Sequence, residues 1–374
     1  MPDPAILDQA ARVIGLALSG TPADQALRES LTTGRHFTAP GARRAISRAV
    51  FAYFRWWRWL ATKDSLQKQL AAALDLQERF NRSPAFVKPQ ALAARAVPDW
   101  LKSEMDAVPP ALFVQLQHEP ALWIRAKAGT GVDLARRLSH LVPAPQSADA
   151  LRYMGTTDLY RTKEFQAGAF EIQDLASQLV GLACAPQPGE TWWDACAGEG
   201  GKTLHLADLM QNKGLIWASD RSERRLAKLK ERAARAQVFN FRAASWDGGP
   251  RLPTRTRFDG ILVDAPCSGV GTWQRNPHAR WTTQPSDVHE LAAVQRKLLD
   301  HVAGSLKPGG RLVYSVCTLT RAETTVVADA FTAAHPELEP FPLSSLFTGH
   351  TSLFLWPHEL NANGMFLTAW KKVT

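Results

Sequence analysis

At 374 residues the chain is too long for one small core and suits two or three domains. Its 45% hydrophobic and 21% charged residues exclude a disordered chain, and a formal net charge of +9 points to phosphate-rich partners unless the basic surface serves solubility alone. Four cysteines, Cys184, Cys196, Cys267 and Cys317, lie far apart with no CxxC pair and no histidine at metal spacing, which argues against a disulfide framework and against a metal centre.

The first residues, MPDPAILDQAARVIGLALSG, set acidic residues in a helical apolar period, unlike a signal peptide, and no stretch reaches transmembrane length. A cytoplasmic protein with reduced thiols is therefore expected. Pro4 to about Phe80 reads as helix throughout. The clearest period spans Ala42 to Ala61, with Ile46, Val50, Tyr53, Phe54 and Trp57 on one side and Arg44, Arg48 and Arg55 on the other. The apolar stripe is core; the arginine stripe is either a solvated face or a track for an RNA backbone, with Arg35, Arg43 and Arg58 adding charge.

Prolines at 84, 89, 98, 109 and 110 break the next stretch into short pieces, a connector with one helix around Trp100 to Met105. ALWIRAK, the amphipathic VDLARRLSHL and further short strands to Tyr160 predict a small mixed α/β subdomain, made basic by Arg125, Lys127, Arg136, Arg137, Arg152 and Arg161. The boundaries expected are 1–83, 84–165 and 166–374.

After Phe165 strand and helix signals alternate. EIQDLASQLVGLACA predicts a helix, TWWDA a strand, GGKTLHLADLMQ a helix, LIWASD a strand, and SERRLAKLKERAARA a helix with Ser222 as N-cap. FNFRAASWD, GILVDAP and GRLVYSVC continue as strands, with a helix from Ser286 to Leu306 closed by KPGG before the last of them. This order implies an α/β domain with a doubly wound, mostly parallel sheet that binds ligands at the carboxyl ends of its strands.

The loop DACAGEGGKT, Asp194 to Thr203, joins a buried strand to a helix, and three readings compete for it. A GxGxxG dinucleotide fingerprint would need glycine at 203, which is Thr203. A P-loop would need glycine at 196, which is Cys196. The third, Asp-x-x-x-Gly-x-Gly, is the S-adenosylmethionine-binding turn of class I methyltransferases. It predicts an acidic residue after the next strand to hold the ribose hydroxyls, where Asp220 stands, and a polar residue after the third strand near the adenine, where Asp247 stands.

The chemistry converges on two apolar runs that each end in a polar group and a cysteine. One is GILVDAPCSG, with Asp264 three residues before Cys267; the other is SVCT, with Cys317. A lone cysteine is most often a small buried hydrophobe, as expected for Cys184 and Cys196. Cys267 and Cys317 differ because each follows a buried strand of the same sheet and should emerge on the same edge. A thiolate at Cys317 can add to carbon 6 of a cytosine and drive electron density to carbon 5, where a methyl group is accepted. A second cysteine can serve the release step. Asp264 would hydrogen-bond the base, and Lys202 would supply positive charge.

DACAGEGGKT, DAPCSGVGTWQRNP and YSVCT, with FQAGAFEIQDLASQ upstream, resemble the RNA cytosine-5 methyltransferases of the Sun-domain or RsmB-like family over about the last 210 residues. The resemblance implies Cys317 as nucleophile, Cys267 in product release and Asp264 in base contact. It places S-adenosylmethionine against Cys196, Ala197, Gly198, Glu199, Gly200, Gly201, Lys202, Asp220, Asp247 and Asp264. The N-terminal helices are similar to the all-α NusB-like RNA-binding domain, with phrases such as VFAYFRWW, and the segment from ALWIRAK resembles a small RNA-recognition subdomain.

The implied function is methylation of carbon 5 of a cytosine in 16S-type ribosomal RNA by a monomer. Alternatives are tRNA as substrate, an inactive RNA-binding ribosome assembly factor, or a P-loop hydrolase. Arg275, Asn276 and Arg280 are expected either to hold RNA or to stabilise their loop. Two departures from the family stand out. CAGEGGKT replaces the usual CAAPGGKT, which should free the turn and add a negative charge beside the cofactor, and Val316 replaces the usual Thr before the nucleophile, removing a hydroxyl near the base.

Overall fold

The computed structural model describes residues 3–33, 40–344, 347 and 349–373, and Arg35 lies outside them. The chain forms two compact units, one of residues 1–120 with 272–284, the other of 121–271 with 285–374. Against the expected break at residue 83, the short helices up to Pro120 pack with the N-terminal ones. The segment that follows the Cys267 motif belongs with them too.

In the helical unit, α1 (Pro4–Leu18), α2 (Ala23–Thr33), α3 (Pro40–Arg55) and α4 (Leu66–Arg82) are followed by the short α5 (Pro89–Arg95), α6 (Leu101–Glu104) and α7 (Pro110–Gln115). The apolar stripe of α3 is core: Ile46, Val50 and Phe54 are fully buried. The helix stops at Arg55, short of the expected Ala61, and a turn of 3₁₀ geometry over Trp57–Trp59 takes the chain onward. Arg55, expected on the charged face, is buried and donates to Gln77 Oε1 at 2.9 Å. Arg44 is exposed, and Arg48 pairs with Glu119 at 2.8 Å.

The second unit opens with β1 (Leu122–Ala126), α8 (Gly131–Arg137), β2 (Leu141–Ala144), β3 (Ser147–Tyr153), α9 (Lys163–Gln166) and β4 (Phe170–Ile172), whose strands form a sheet of order β2-β3-β1-β4. Glu171 and Ile172, expected at the start of a helix, join Phe170 in β4 because their backbone pairs antiparallel with β1. The helix α10 (Leu175–Cys184) begins after it, with the Asp174 side chain capping Ala176 N–H. Arg125 is not a surface cation. It is buried, donating to Gln173 Oε1 and to Asp208 Oδ2, both at 2.8 Å.

Beyond α10 come β5 (Thr191–Asp194), α11 (Gly201–Leu209), β6 (Leu215–Asp220), α12 (Glu223–Ala236), β7 (Phe241–Ser245) and β8 (Phe258–Asp264). After α13 (Ala279–Thr282), which lies in the helical unit, follow α14 (Pro285–Ala303), β9 (Leu306–Val316), α15 (Thr325–Ala334), β10 (Leu338–Pro340), β11 (Ser352–Leu355), α16 (Pro357–Leu360) and β12 (Met365–Lys372). Residues 307–310, KPGG, form the opening of β9 instead of closing the helix before it. Ser222 caps α12 as the sequence predicts, accepting from Arg225 N–H.

The large sheet runs β10-β12-β9-β8-β5-β6-β7, with β11 on β12. Pairings among β5 to β9 are parallel, and β12 runs antiparallel to β9. Successive side chains of a strand point to opposite faces, so TWWD sends Trp192 into one core layer and Trp193 into the other, each fully buried. Neighbours of β5 lead away in opposite chain directions, which makes the carboxyl end of β5 the crevice of the sheet. This is the class I methyltransferase architecture. No helix among the described residues is long and apolar enough to cross a membrane.

Candidate active site

The carboxyl ends of four parallel strands deliver three carboxylates and a hydroxyl to one edge: Asp194 on β5, Asp220 on β6, Asp264 on β8, and Ser315 on β9, level with Asp264. A cavity of about 290 Å³ opens along this edge, lined by Cys196, Asp220, Asp247, Asp264, Cys267 and Cys317 among the residues singled out from the sequence. Arg221, Arg225 and Trp246 line it as well, with the apolar Val294 and Leu298 of α14.

Residues 197–202 of the glycine-rich loop build the turn without lining the cavity. Ala197 N–H donates to Ser219 O at 2.8 Å, and Gly198 N–H to Asp220 Oδ2 at 2.9 Å, which fixes that carboxylate. Gly200 has φ +84°, and a Cβ there would come within 2.5 Å of Leu229, so only glycine turns the chain into α11. Gly201 opens α11, its carbonyl accepting from Gln173 Nε2 at 3.2 Å. Glu199 is exposed and outside the cavity lining, while its carbonyl accepts from Arg232 at 3.0 Å. The turn that the lost proline was expected to free is thus tied down by its own amides, and the added charge faces solvent.

Asp220 is buried, with Oδ1 accepting from Ser222 N–H at 2.8 Å and Oδ2 facing Arg225 at 3.3 Å. Its two oxygens keep acceptor capacity for further donors. Below the loop, Asp194 is fully buried beside Thr203, whose hydroxyl donates to it at 2.6 Å; burial pushes its carboxyl up to about 7, against the lowering effect of that hydroxyl. Asp247 is exposed and accepts from Gly249 N–H at 2.8 Å.

The two thiols meet. Cys267 Sγ and Cys317 Sγ lie 3.3 Å apart, although fifty residues separate them in sequence. The hydrogen bond to Cys317 and burial hold the Cys267 thiol well above its ordinary value, with the charge of Glu323 adding to the effect. Cys184 and Cys196 are pushed up by burial and behave as packing residues.

Beside the thiols, buried Lys202 donates through Nζ to Asp264 Oδ2 at 2.7 Å. Burial works against the ammonium charge, and the carboxylate more than offsets it, so Lys202 is held above its usual range. Asp264 Oδ1 accepts from Ser315 Oγ at 2.9 Å. Val316 is core, and the hydroxyl at this carboxylate comes from Ser315.

Arg280 does not reach for a ligand. It is fully buried in the helical unit, donating to Ala96 O and Leu116 O at 2.9 Å each, the residues that end α5 and α7, and to Trp273 O at 3.4 Å. Burial, with the nearby charge of Arg55, pulls it down to about 9. Arg280→Ala leaves these carbonyls without a donor and should lower unfolding free energy by about 3 kcal/mol in chemical denaturation. Arg280→Lys should recover little, since one ammonium cannot span the fork. Arg275 is exposed.

Residues 181–371 match the family described as 16S rRNA methyltransferase RsmB/F. A probable ribosomal RNA small subunit methyltransferase B of Bacillus subtilis (strain 168) is 37% identical over 234 residues, covering 60% of this chain and 52% of that protein. A protein of the same description from Synechocystis sp. is 34% identical over 319 residues, covering 79% of this chain and 69% of that protein. The chain thus spans about half of the first relative's length and about two thirds of the second's. Among solved structures, that of PH0851 matches with a TM-score of 0.81 at 22% identity, covering 100% of this chain and 99% of that one, a likeness of fold. The chain belongs to the RsmB/F family of 16S rRNA methyltransferases.

Proposed function

We propose that this protein methylates carbon 5 of a cytosine in 16S-type ribosomal RNA, using S-adenosylmethionine as donor and working as a monomer in the cytoplasm. The observation that carries the reading is the pair of thiols 3.3 Å apart on the rim of a cavity that Asp220 also lines. A cavity of about 290 Å³ with a buried carboxylate for ribose hydroxyls and the Trp246 ring in its wall suits such a donor. S-Adenosylmethionine supplies an electrophilic methyl group on its sulfonium.

Cys317 Sγ adds to carbon 6 of the base, and the electron pair of the carbon 5–carbon 6 double bond moves toward carbon 5, which takes the methyl group. Loss of the carbon 5 proton then returns that pair, and the Sγ–carbon 6 bond breaks. Asp264 is set to hydrogen-bond the pairing edge, with the Lys202 charge 2.7 Å behind it to stabilise negative charge that builds on the base during addition. Cys267, 3.3 Å from Cys317, serves the release step by accepting the carbon 5 proton as a thiolate, directly or through a bridging water. The target base must leave its stack to arrive here, and Lys127, Arg136, Arg137 and Arg161 near the small sheet hold flanking phosphates; exposed Arg44 and Arg275 give the helical unit basic residues of its own for RNA.

Incubation of the protein with methyl-labelled S-adenosylmethionine and unmodified 16S-type RNA, followed by bisulfite mapping, should place label on carbon 5 of a cytosine. Label on tRNA alone would move the substrate, and donor binding without transfer to any RNA would favour an assembly factor. Asp220→Ala should weaken donor binding by roughly ten- to a hundredfold in calorimetric titration, as expected for loss of charged hydrogen bonds. An unchanged affinity would remove Asp220 from the donor site.

A further inference from the structure

Glu323 lies six residues past Cys317 in the turn after β9, and it is fully buried. A carboxylate there needs donors to replace the water it has lost. Its Oε1 accepts from Ser268 N–H at 2.8 Å and from Gln295 Nε2 at 3.0 Å. Its Oε2 accepts from the hydroxyls of Thr318 at 3.1 Å and Thr320 at 2.9 Å, and from that of Ser268. Ser268 follows Cys267 and Thr318 follows Cys317, so one side chain grips the residue next to each thiol. Gln295 extends the grip to the other side of Cys267, donating to Pro266 O at 2.9 Å.

We infer that Glu323 is a positioning residue that clamps the two cysteine loops together and thereby sets the separation of the thiols. The inference rests on the reading of those thiols as the reacting pair. The hydrogen-bond chemistry separates geometry from charge. Both partners of Oε1 are N–H groups that can only donate, whereas all three partners of Oε2 are hydroxyls that can also accept. A glutamine with its oxygen at Oε1 and its amide nitrogen at Oε2 can therefore keep both contacts at Oε1 and donate to two of the three hydroxyls at Oε2 without the charge.

The test uses the full-length protein and two readouts. The first is oxidation by diamide, a diazene that takes up two electrons and two protons to become a hydrazine as the thiols join, with the Cys267–Cys317 disulfide counted by peptide mapping. The second is kcat for methyl transfer. Glu323→Ala should form the disulfide about tenfold more slowly and lose about a hundredfold in kcat, the scale of a displacement near 1 Å. Glu323→Gln should recover most of both losses. Thr318→Val, which keeps shape and drops one hydroxyl, should show smaller losses in both and covers the case in which Glu323→Ala fails to fold.

A Glu323→Ala protein that cross-links and turns over like the wild type overturns the inference. So does a Glu323→Gln protein as impaired as Glu323→Ala, or a wild type that forms no such disulfide. Cross-linking needs neither RNA nor donor, so a wild type that cross-links without methylating RNA would sink the proposed function and leave the clamp standing.

Discussion

Replacing Cys267 with alanine will leave the protein covalently attached to its RNA. The addition step uses Cys317 alone, so the variant should reach the methylated adduct and then stall, because the group that serves release has gone. Denaturing gels with labelled RNA should show a shifted band for Cys267→Ala, scarcely any for the wild type, and none for Cys317→Ala. Cys317→Ala should also lose methyl transfer by on the order of a thousandfold or more, the scale for removing a nucleophile. The 3.3 Å contact puts both thiols within reach of one base, and the division of roles between them is the one that the family resemblance implies. A shifted band with Cys317→Ala instead would exchange the two.

Asp264→Ala should unfold the protein more readily than any other single change at the rim, by about 3–5 kcal/mol, because it strands a buried ammonium. Lys202 is 8% exposed, and Asp264 is the carboxylate that holds it charged. In the wild type the lysine's pKa is raised above its unfolded value, so its contribution is complete below the unfolded pKa and is lost as pH climbs through the raised one. In Asp264→Ala burial, the largest influence on the lysine, is opposed only by the weaker pull of Cys317 and Asp194, and it depresses that pKa. The unfolded chain then binds more protons, and stability should rise with pH up to the unfolded value. Denaturant midpoints across alkaline pH check both slopes; equal slopes would deny the pair a structural role. Methyl transfer should fall in the same variant for a separate reason, the loss of the contact to the base.

The site was legible in the sequence where its residues stand at strand ends. Asp220, Asp264, Cys267 and Cys317 each close or follow an apolar run, and parallel strands carry such residues to a common edge. Glu323 was not legible. In TRAETT it reads as one more polar residue opening a helix, and its importance comes from Ser268 and Gln295, which the sheet brings to it from far along the chain. Arg280 takes the second of the two roles the sequence left open to it, a structural one, whereas Arg125 misled: a long cation looks like a surface group until a partner such as Asp208 encloses it. The segment 170–172 has helix-forming glutamate in it, and pairing with β1 overrides that local preference.

The membership of residues 272–284 in the helical unit bears on the order of events at the ribosome. Trp273 and Arg280 are fully buried there, yet they are translated after β8. The amino-terminal helices therefore emerge first and cannot finish consolidating until translation has passed residue 284, well into the second unit. A protein usually imagined as folding from its front end must here keep its earliest segment waiting: Phe54 of α3, whose carbonyl accepts from the Trp281 indole, lacks that partner throughout the interval.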